Sequence, residues 1–192
     1  MTNGETNKRR GRLFIISAPS GTGKSTVIRE LLKKRPNLRF SVSATTRMPR
    51  EDEIDGMSYS FVTRERFEDM VINNEFLEYA EYVGNRYGTP KGPILENIEN
   101  GIDTVLDIDV IGAKQIIGKL DGVLSIFIVP PDLLELERRL RSRGTDSEEK
   151  TLARLARAKA ELEEKELFDF VVVNDDVGRA ANQILLIFDK DM

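Results

Sequence analysis

The stretch Leu13–Thr26 reads LFIISAPSGTGKST and decides the fold of this chain. Its beginning, Leu13–Ile16, is a short apolar run that predicts a buried strand, and a helical pattern starts at Lys24. A turn rich in serine, proline and glycine lies between them. The order is therefore strand, glycine loop and helix, which is the context that a phosphate-binding loop requires.

Two glycines explain how such a loop binds phosphate. Gly21 and Gly23 let the backbone curl until successive N–H groups point into one concavity, and the following helix adds its positive end. Lys24 would then reach the β- and γ-phosphates of a nucleotide, and Ser25 would offer its hydroxyl to Mg²⁺. The general pattern G-x-x-x-x-G-K-[ST] has glycine where this chain has Ala18. An ordinary glycine-rich turn is the alternative, but the complete GTGKST core in its proper context favours the phosphate-binding loop.

The composition excludes several kinds of chemistry. The chain has 192 residues, enough for one domain with a sizeable core, and its 40% apolar and 32% charged residues are ordinary for a globular protein. Cysteine is absent, which excludes disulfides and thiolate catalysis. Histidine is also absent, so a Ser-His-Asp triad and a histidine zinc site are impossible. Any catalysis must proceed without an imidazole base.

Charge and hydropathy bear on partners and location. The net charge of −4 gives no indication of binding to nucleic acid or to an anionic membrane. No apolar run approaches the roughly 18 residues that span a bilayer, and the polar, basic start does not resemble a secretory signal. We expect a cytoplasmic protein with a disordered tail over Met1–Gly11. The alternative for the tail is that its KRRG, continuing into Arg12, contacts an anionic partner.

Strands and helices alternate along most of the chain. This alternation predicts an α/β fold, with a phosphate-loop type of parallel sheet flanked by helices on both faces. Extra strands interrupt it between Ser43 and Pro90 and predict an inserted subdomain of mixed α/β structure. A helical lid is predicted further on. Within a single domain, residues 1–192, the predicted parts are a tail at 1–11, a core at 12–42, 91–134 and 168–192, an insertion at 43–90 and a lid at 135–167.

An arginine-rich loop is the first of three further groups that indicate chemistry. Arg47 and Arg50 lie three residues apart in a loop stiffened by proline, which suits bidentate binding of a phosphate. A solvated basic loop is the simpler interpretation of two arginines alone. Taken together with Tyr59, Tyr87 and the glycine loop, however, they predict an anion site.

The second group consists of arginines around the segment RLRSRGT. Arg139, Arg143 and Arg154 flank a helix–glycine–helix pattern that resembles a mobile flap able to close over phosphates. Arg138 and Arg141 are expected to face solvent. Because the following helix carries alternating charges, self-pairing along the helix is the alternative to a functional lid.

The third group consists of three carboxylates. Asp107 and Asp109 follow a buried strand, at the edge where open α/β sheets bind ligands, and Glu78 lies in the insertion. Carboxylates there are able to hold the waters of a Mg²⁺ ion or to fix arginines. For Asp109, an N-cap of the next helix is as good an interpretation as a role in the site.

Several motifs in the same order make the chain resemble a guanylate kinase from Arg12 almost to its C-terminus. They are SAPSGTGKST, SATTRMPR with SYSFV, NNEFLEYAEYVGNRYGT, LDID, RLRSRGT and VVVND. Asp52 departs from the family, which usually has glycine there, but Arg47, Arg50 and Glu53 are kept. Thr89 stands where the family often has serine and retains the hydroxyl.

The resemblance implies a role for each matching residue. The residues implied to bind ATP are Ala18, Pro19, Ser20, Gly21, Thr22, Gly23, Lys24, Ser25, Thr26 and Asn174. The last of these would lie beside the adenine. GMP binding falls to Arg47, Arg50, Tyr59 and Tyr87 at the phosphate and to Ser43, Glu78, Thr89 and Asp109 at the guanine. The implied catalytic residues are Lys24, Arg50, Asp107, Arg139, Arg143 and Arg154. Mg²⁺ is the implied cofactor, held by Ser25 and, through water, by Asp107.

The implied reaction is reversible transfer of a phosphoryl group from ATP to GMP, and to dGMP. It agrees with the absence of histidine, because the attacking phosphate oxygen is already anionic. The Glu78 carboxylate is able to accept from both guanine N1–H and the exocyclic amino group, whereas adenine N1 is an acceptor. Two alternatives are a non-catalytic interaction module and a kinase of the same fold with another phosphorylated acceptor. The sequence leaves the oligomeric state open.

Overall fold

The computed structural model describes residues 9–82, 84–120, 122–142 and 147–190. The strands are β1 (Leu13–Ser17), β2 (Arg39–Phe40), β3 (Ala44–Thr45), β4 (Ser60–Phe61), β5 (Phe76–Tyr82), β6 (Asn85–Pro90), β7 (Thr104–Asp107), β8 (Val123–Val129) and β9 (Phe170–Val173). The helices are α1 (Lys24–Lys34), α2 (Arg64–Ile72), α3 (Lys91–Glu99), α4 (Val110–Ile116), α5 (Leu133–Arg141), α6 (Glu148–Leu162) and α7 (Val177–Lys190). A 3₁₀ turn, Glu163–Leu167, follows α6.

The central sheet contains five parallel strands in the order β2-β7-β1-β8-β9. Its middle strand β1 is buried along its whole length. Phe14 and Ile16 belong to the apolar cluster that α1 and α7 cover. Leu13 and Ile15 belong to the cluster on the opposite face, against α3 and α4. Because alternate residues of a strand point to opposite faces, one apolar run supplies both sides of the core. The predicted α/β fold is confirmed.

A second, smaller sheet lies in the insertion, in the order β4-β3-β6-β5. β3 pairs with β4 in parallel, whereas β6 pairs antiparallel with both β3 and β5. Helix α2 packs on this sheet through Phe67 and Met70, which form a cluster of their own with Ala44 and Phe76. Thr63 caps α2 by accepting from the backbone N–H of Arg66. The insertion thus has its own sheet and its own apolar cluster.

Helices α5 and α6 form a separate pair. They pack through Leu136 and Leu140 of α5 against Leu155 and Ala158 of α6. Their capping residues, Asp132 and Ser147, accept from backbone N–H groups of the first helical turns. Within the part of the chain that the structure describes, no helix has the length and apolar character needed to cross a membrane.

The described end of the predicted N-terminal tail is part of the folded domain. Gly11 is buried and its N–H donates to the carbonyl of Ile98 at 2.8 Å. The Arg9 guanidinium binds both carboxylate oxygens of Asp103, at 3.1 Å each, and Arg12 binds the same carboxylate. The prediction of disorder is therefore wrong for residues 9–11, because a buried aspartate recruits the basic residues. Residues 1–8 lie outside the described ranges.

Candidate active site

A cleft of about 370 Å³ opens where the two sheets and α6 meet. It lies beyond the carboxyl ends of β1 and β7, the edge at which open α/β sheets bind ligands. The whole glycine loop, residues 18–26, lines it. Besides the loop, the predicted site residues that line it are Ser43, Tyr59, Glu78, Tyr87, Asp107 and Asp109. The structure therefore brings together predicted residues that are far apart in the sequence.

The curl of the glycine loop depends on glycine at two positions. Gly21 and Gly23 have φ angles of +92° and +89°, in the left-handed region that other residues avoid. A Cβ atom at Gly21 would lie 2.8 Å from Cδ2 of Leu140, and one at Gly23 would lie 2.7 Å from Nδ2 of Asn174. Between them, Thr22 is fully buried, and its hydroxyl donates to the carbonyl of Pro19 at 2.9 Å. Both conformation and space therefore require these glycines.

The two positions where the family pattern has glycine do not require it in this chain. Among the described residues, Asn74 is the only non-glycine residue with a positive φ. Ala18 and Asp52 therefore have ordinary backbone conformations. Ala18 is 7% exposed and belongs to the apolar cluster under α1 and α7. The methyl group of Ala18 thus packs into the core without disturbing the loop.

Lys24 points from the loop toward the end of β7. Its Nζ lies 2.7 Å from Oδ1 of Asp107 and donates to the carbonyl of Ile108, also at 2.7 Å. Ser25, the next residue, is exposed and lines the same cleft. A hydroxyl and a carboxylate are hard oxygen ligands of the kind that Mg²⁺ takes beside nucleotide phosphates. The donor set formed by Ser25 and Asp107 therefore fits this ion.

Glu78 is the most deeply buried carboxylate of the cleft. It is 6% exposed, and its Oε1 accepts from the Thr89 hydroxyl at 2.5 Å. Burial is the main cause that raises the pKa of Glu78 from 4.5 to about 7. A carboxylate with this pKa is ready to ionise when a ligand supplies hydrogen-bond donors. Glu78 is thus suited to recognising a base that presents such donors.

The raised pKa makes a prediction about stability. Between pH 4.5 and 7 the folded state keeps the proton of Glu78 while the unfolded state loses it. The free energy of unfolding therefore falls as the pH rises through this window. Over that range the free energy of unfolding of the wild-type protein should fall by on the order of 1–3 kcal/mol more than that of Glu78→Gln. Denaturant unfolding of both proteins at several pH values measures the difference, and parallel curves would contradict the prediction.

Asp109 caps a helix and also lies at the cleft, so its role in the site stays a prediction. Its Oδ1 accepts from the backbone N–H of Gly112 at 2.8 Å, which makes it the N-cap of α4. It also lines the cleft, and its Oδ2 lies 3.8 Å from Nη2 of Arg157. Capping therefore fixes the backbone while one carboxylate oxygen still faces the cleft.

Only some of the residues of the insertion that were predicted to bind phosphate lie at the cleft. Tyr59 and Tyr87 line it, with ring centroids 6.0 Å apart. The Arg47 guanidinium lies 5.5 Å from the ring of Tyr59 but binds both oxygens of Glu53, at 2.7 and 2.9 Å. This ion pair holds the pKa of the Glu53 carboxyl below its ordinary value. Arg50 is exposed and does not line the cleft.

The predicted lid arginines that the structure describes contact the glycine loop from outside the cleft. Arg154 donates to the Ser20 hydroxyl at 3.0 Å. Arg139 donates to the carbonyls of Thr22 and Asn174, both at 3.0 Å. Arg143 lies outside the described residues.

Asn174 contacts the glycine loop. It is 2% exposed, and its side-chain amide donates to the carbonyl of Thr22 at 2.6 Å. Asn174 therefore supports the glycine loop through Thr22 and does not line the cleft. That it lies beside the adenine of ATP stays a prediction.

Five cleft residues were missed by the sequence prediction: Ala80, Tyr82, Ile108, Arg157 and Glu161. The Arg157 guanidinium lies 4.3 Å from the ring centroid of Tyr82, and its Nε donates to Glu161 at 2.7 Å. Oε2 of Glu161 accepts from the N–H of Ser20 at 3.4 Å. The spacing of Arg157 and Glu161 indicates only an ordinary helical ion pair. The strand pattern of β5 gives the sole signal for Tyr82, because it shares a face with Glu78.

Comparisons with known proteins agree with this site. The family model described as guanylate kinase matches residues 10–191. Guanylate kinase of Nostoc sp. is 48% identical over 178 residues, covering 93% of this chain and 89% of that protein. Guanylate kinase of Prochlorococcus marinus subsp. pastoris is 48% identical over 180 residues, covering 94% and 98%. The crystal structure of guanylate kinase from Anaplasma phagocytophilum superimposes with a TM-score of 0.80 at 37% identity, covering 96% and 87%. The chain therefore belongs to the guanylate kinase family, and this membership implies the ATP-dependent phosphorylation of GMP to GDP.

Proposed function

We propose that this protein transfers the γ-phosphoryl group of ATP to GMP and to dGMP, reversibly and with Mg²⁺, while a lid closes over both nucleotides. The observation that carries the proposal is that two unlike groups line one cleft. One is the glycine loop with Lys24, here called the ATP end, and the other is the buried carboxylate of Glu78, here called the GMP end. The first suits a polyphosphate and the second suits a base with paired donors.

The ATP end depends on an exchange of partners by Lys24. In the structure its ammonium group is neutralised by Asp107. Phosphate oxygens would replace that partner, and the backbone N–H groups of the loop would bind the remaining phosphate charge. Ser25 and, through water, Asp107 would hold Mg²⁺. The ion neutralises charge on the transferred phosphoryl group when it is bound with ATP.

At the GMP end, separate sets of residues are assigned to the base and to the phosphate. Glu78 would accept from guanine N1–H and the exocyclic amino group, with Thr89, Ser43 and Asp109 beside it. The phosphate of GMP would be bound by Tyr59, Tyr87, Arg47 and Arg50. For this Arg47 must share its guanidinium with Glu53, which now holds it. None of these residues is assigned to bind the ribose 2′-hydroxyl, and this supports dGMP as a second acceptor.

No general base is required for the transfer. The attacking oxygen belongs to the phosphate of GMP and is already anionic, so the remaining problem is repulsion between two anions. Lys24 and the arginines would reduce that repulsion and align the reacting groups. Arg139, Arg143 and Arg154 would act from the lid, and closure would exclude water that competes as acceptor.

We also propose that the parts predicted from the sequence move as units: a core at residues 12–42, 91–134 and 168–192, an insertion at 43–90 and a lid at 135–167. The separate apolar clusters of the insertion and of the α5–α6 pair support this division. The cytoplasmic location and the absence of nucleic-acid and membrane partners stay predictions from composition. The oligomeric state stays open.

A coupled assay of ADP formation tests the proposed function. With ATP and Mg²⁺, turnover should be rapid with GMP, measurable with dGMP and much slower with AMP. A crystal structure with GMP and an unreactive ATP analogue should then place Lys24, Arg50 and Arg143 around a common phosphate. Absence of turnover with GMP would favour a non-catalytic interaction module, and equal turnover with other monophosphates would favour another acceptor.

A further inference from the structure

Gly112 occupies an unusual place for a glycine. It is the third residue of α4, and its φ angle lies outside the left-handed region, so the local backbone does not require glycine. Glycine is less favourable than alanine inside a helix, because it has more conformational freedom to lose on folding. The reason for Gly112 must therefore lie in what surrounds it.

A side chain at this position would collide with Glu78. An ideal Cβ atom on Gly112 would lie 2.6 Å from Oε2 and 2.9 Å from Cδ of Glu78. The next nearest atom is Oδ1 of Asp109, at 3.5 Å, which is an ordinary contact. The space left by the missing side chain is thus the space in which the Glu78 carboxylate lies.

Glu78 has little freedom to avoid such a collision. Its other oxygen is held by the Thr89 hydroxyl, and the side chain is almost completely buried. The next residue, Tyr79, is fastened to α4 through its backbone. Its N–H donates to Oε1 of Gln115 at 3.3 Å, and its carbonyl accepts from Nε2 of Gln115 at 2.8 Å. Strand β5 therefore cannot move away from α4 without breaking these two hydrogen bonds.

We infer that Gly112 is a positioning residue for guanine recognition, because its missing side chain fixes where the Glu78 carboxylate meets the base. The inference rests on the proposed role of Glu78 in reading guanine. It adds a residue that has no polar side-chain group and does not line the cleft. It also explains why the helix beside the cleft keeps an unfavourable glycine.

Gly112→Ala tests the inference. We expect KM for GMP to rise about tenfold or more, with a smaller change in kcat and no change in KM for ATP, because a displaced carboxylate weakens a buried pair of hydrogen bonds. Gly92→Ala is the matched control. Gly92 also lies in the first turn of a helix without a positive φ, and a Cβ atom there would meet nothing within 4 Å. This control should leave both KM values unchanged.

A double-mutant cycle shows whether the effect passes through Glu78. In a Glu78→Ala background, Gly112→Ala should add no further increase in KM for GMP. Equal effects in both backgrounds, or no effect of Gly112→Ala alone, would overturn the inference. No effect of Glu78→Ala on KM for GMP would instead overturn the proposed role of Glu78 itself.

The inference is also testable if Gly112→Ala fails to fold. If Gly112→Ala does not fold but the double variant does, the collision with Glu78 is supported. If neither folds, the space serves another contact and the inference is wrong. Thermal unfolding of the single and double variants distinguishes these cases.

Discussion

Replacing Lys24 by alanine is expected to lower kcat by about two to three orders of magnitude while the fold is retained. The loss should be large because this ammonium group would accompany charge that moves between the two nucleotides, inside a cleft that already holds it in place. In the structure it is fixed by Asp107 and by the carbonyl of Ile108. Once phosphate oxygens have replaced Asp107 as its partner, the ammonium group needs no further reorganisation at the moment of transfer.

The fold should tolerate Lys24→Ala because the ion pair that it breaks is not deeply buried. The side chains of Lys24 and Asp107 are 18% and 21% exposed, so water is able to solvate the aspartate that remains. Lys33→Ala is the matched control, since Lys33 lies on the same helix with a 69% exposed side chain. The coupled assay and thermal unfolding measure both variants. Full activity of Lys24→Ala would overturn the assignment of the loop.

The features that the sequence predicted well are local. The glycine loop follows from residues next to one another, and the apolar run Leu13–Ile16 was recognisable without knowing its neighbours. The N-cap at Asp109 was recognisable for the same reason, because its side chain binds the N–H group of Gly112, three residues ahead. Local geometry is encoded in a few consecutive residues.

The features that were missed depend on contacts between distant parts of the chain. β3 consists of Ala44–Thr45 only, so no alternating pattern exists to reveal it, although both residues are completely buried. Arg157 carries the spacing of a common helical ion pair, and only the tertiary fold places it over Tyr82. Spacing along a helix does not identify which exposed arginine meets a strand from the insertion.

Asn174 illustrates a different limit, because its motif was recognised but its contact with the glycine loop was not predicted. The segment VVVND marks the end of β9, but the burial of Asn174 results from its contact with Thr22, far away in the sequence. Arg139 binds the same carbonyl of Thr22 and the carbonyl of Asn174. The loop is thus supported by a strand end and a helix, a relation that no single motif contains.

Glu78→Gln is expected to reduce the preference for GMP over AMP in kcat/KM by about ten- to a hundredfold. The substitution keeps the size of the side chain and an oxygen for the Thr89 hydroxyl, so the change is confined to one polar group. Glutamine offers a single acceptor and an NH₂ donor. Guanine N1–H and the amino group then lose one acceptor and face a donor, whereas adenine N1 gains a donor.

Two features of the site make this test specific. Glu81→Gln on the same strand is the matched control, because Glu81 is exposed on the other face of β5 and does not line the cleft. Glu78→Gln also removes the group with the raised pKa, so its discrimination should show less dependence on pH between 5 and 8 than that of wild-type protein. Measurements of kcat/KM for GMP and AMP across this range decide the matter. Unchanged discrimination would mean that the buried carboxylate does not read the base, because no other difference between the two side chains is large enough to hide its loss.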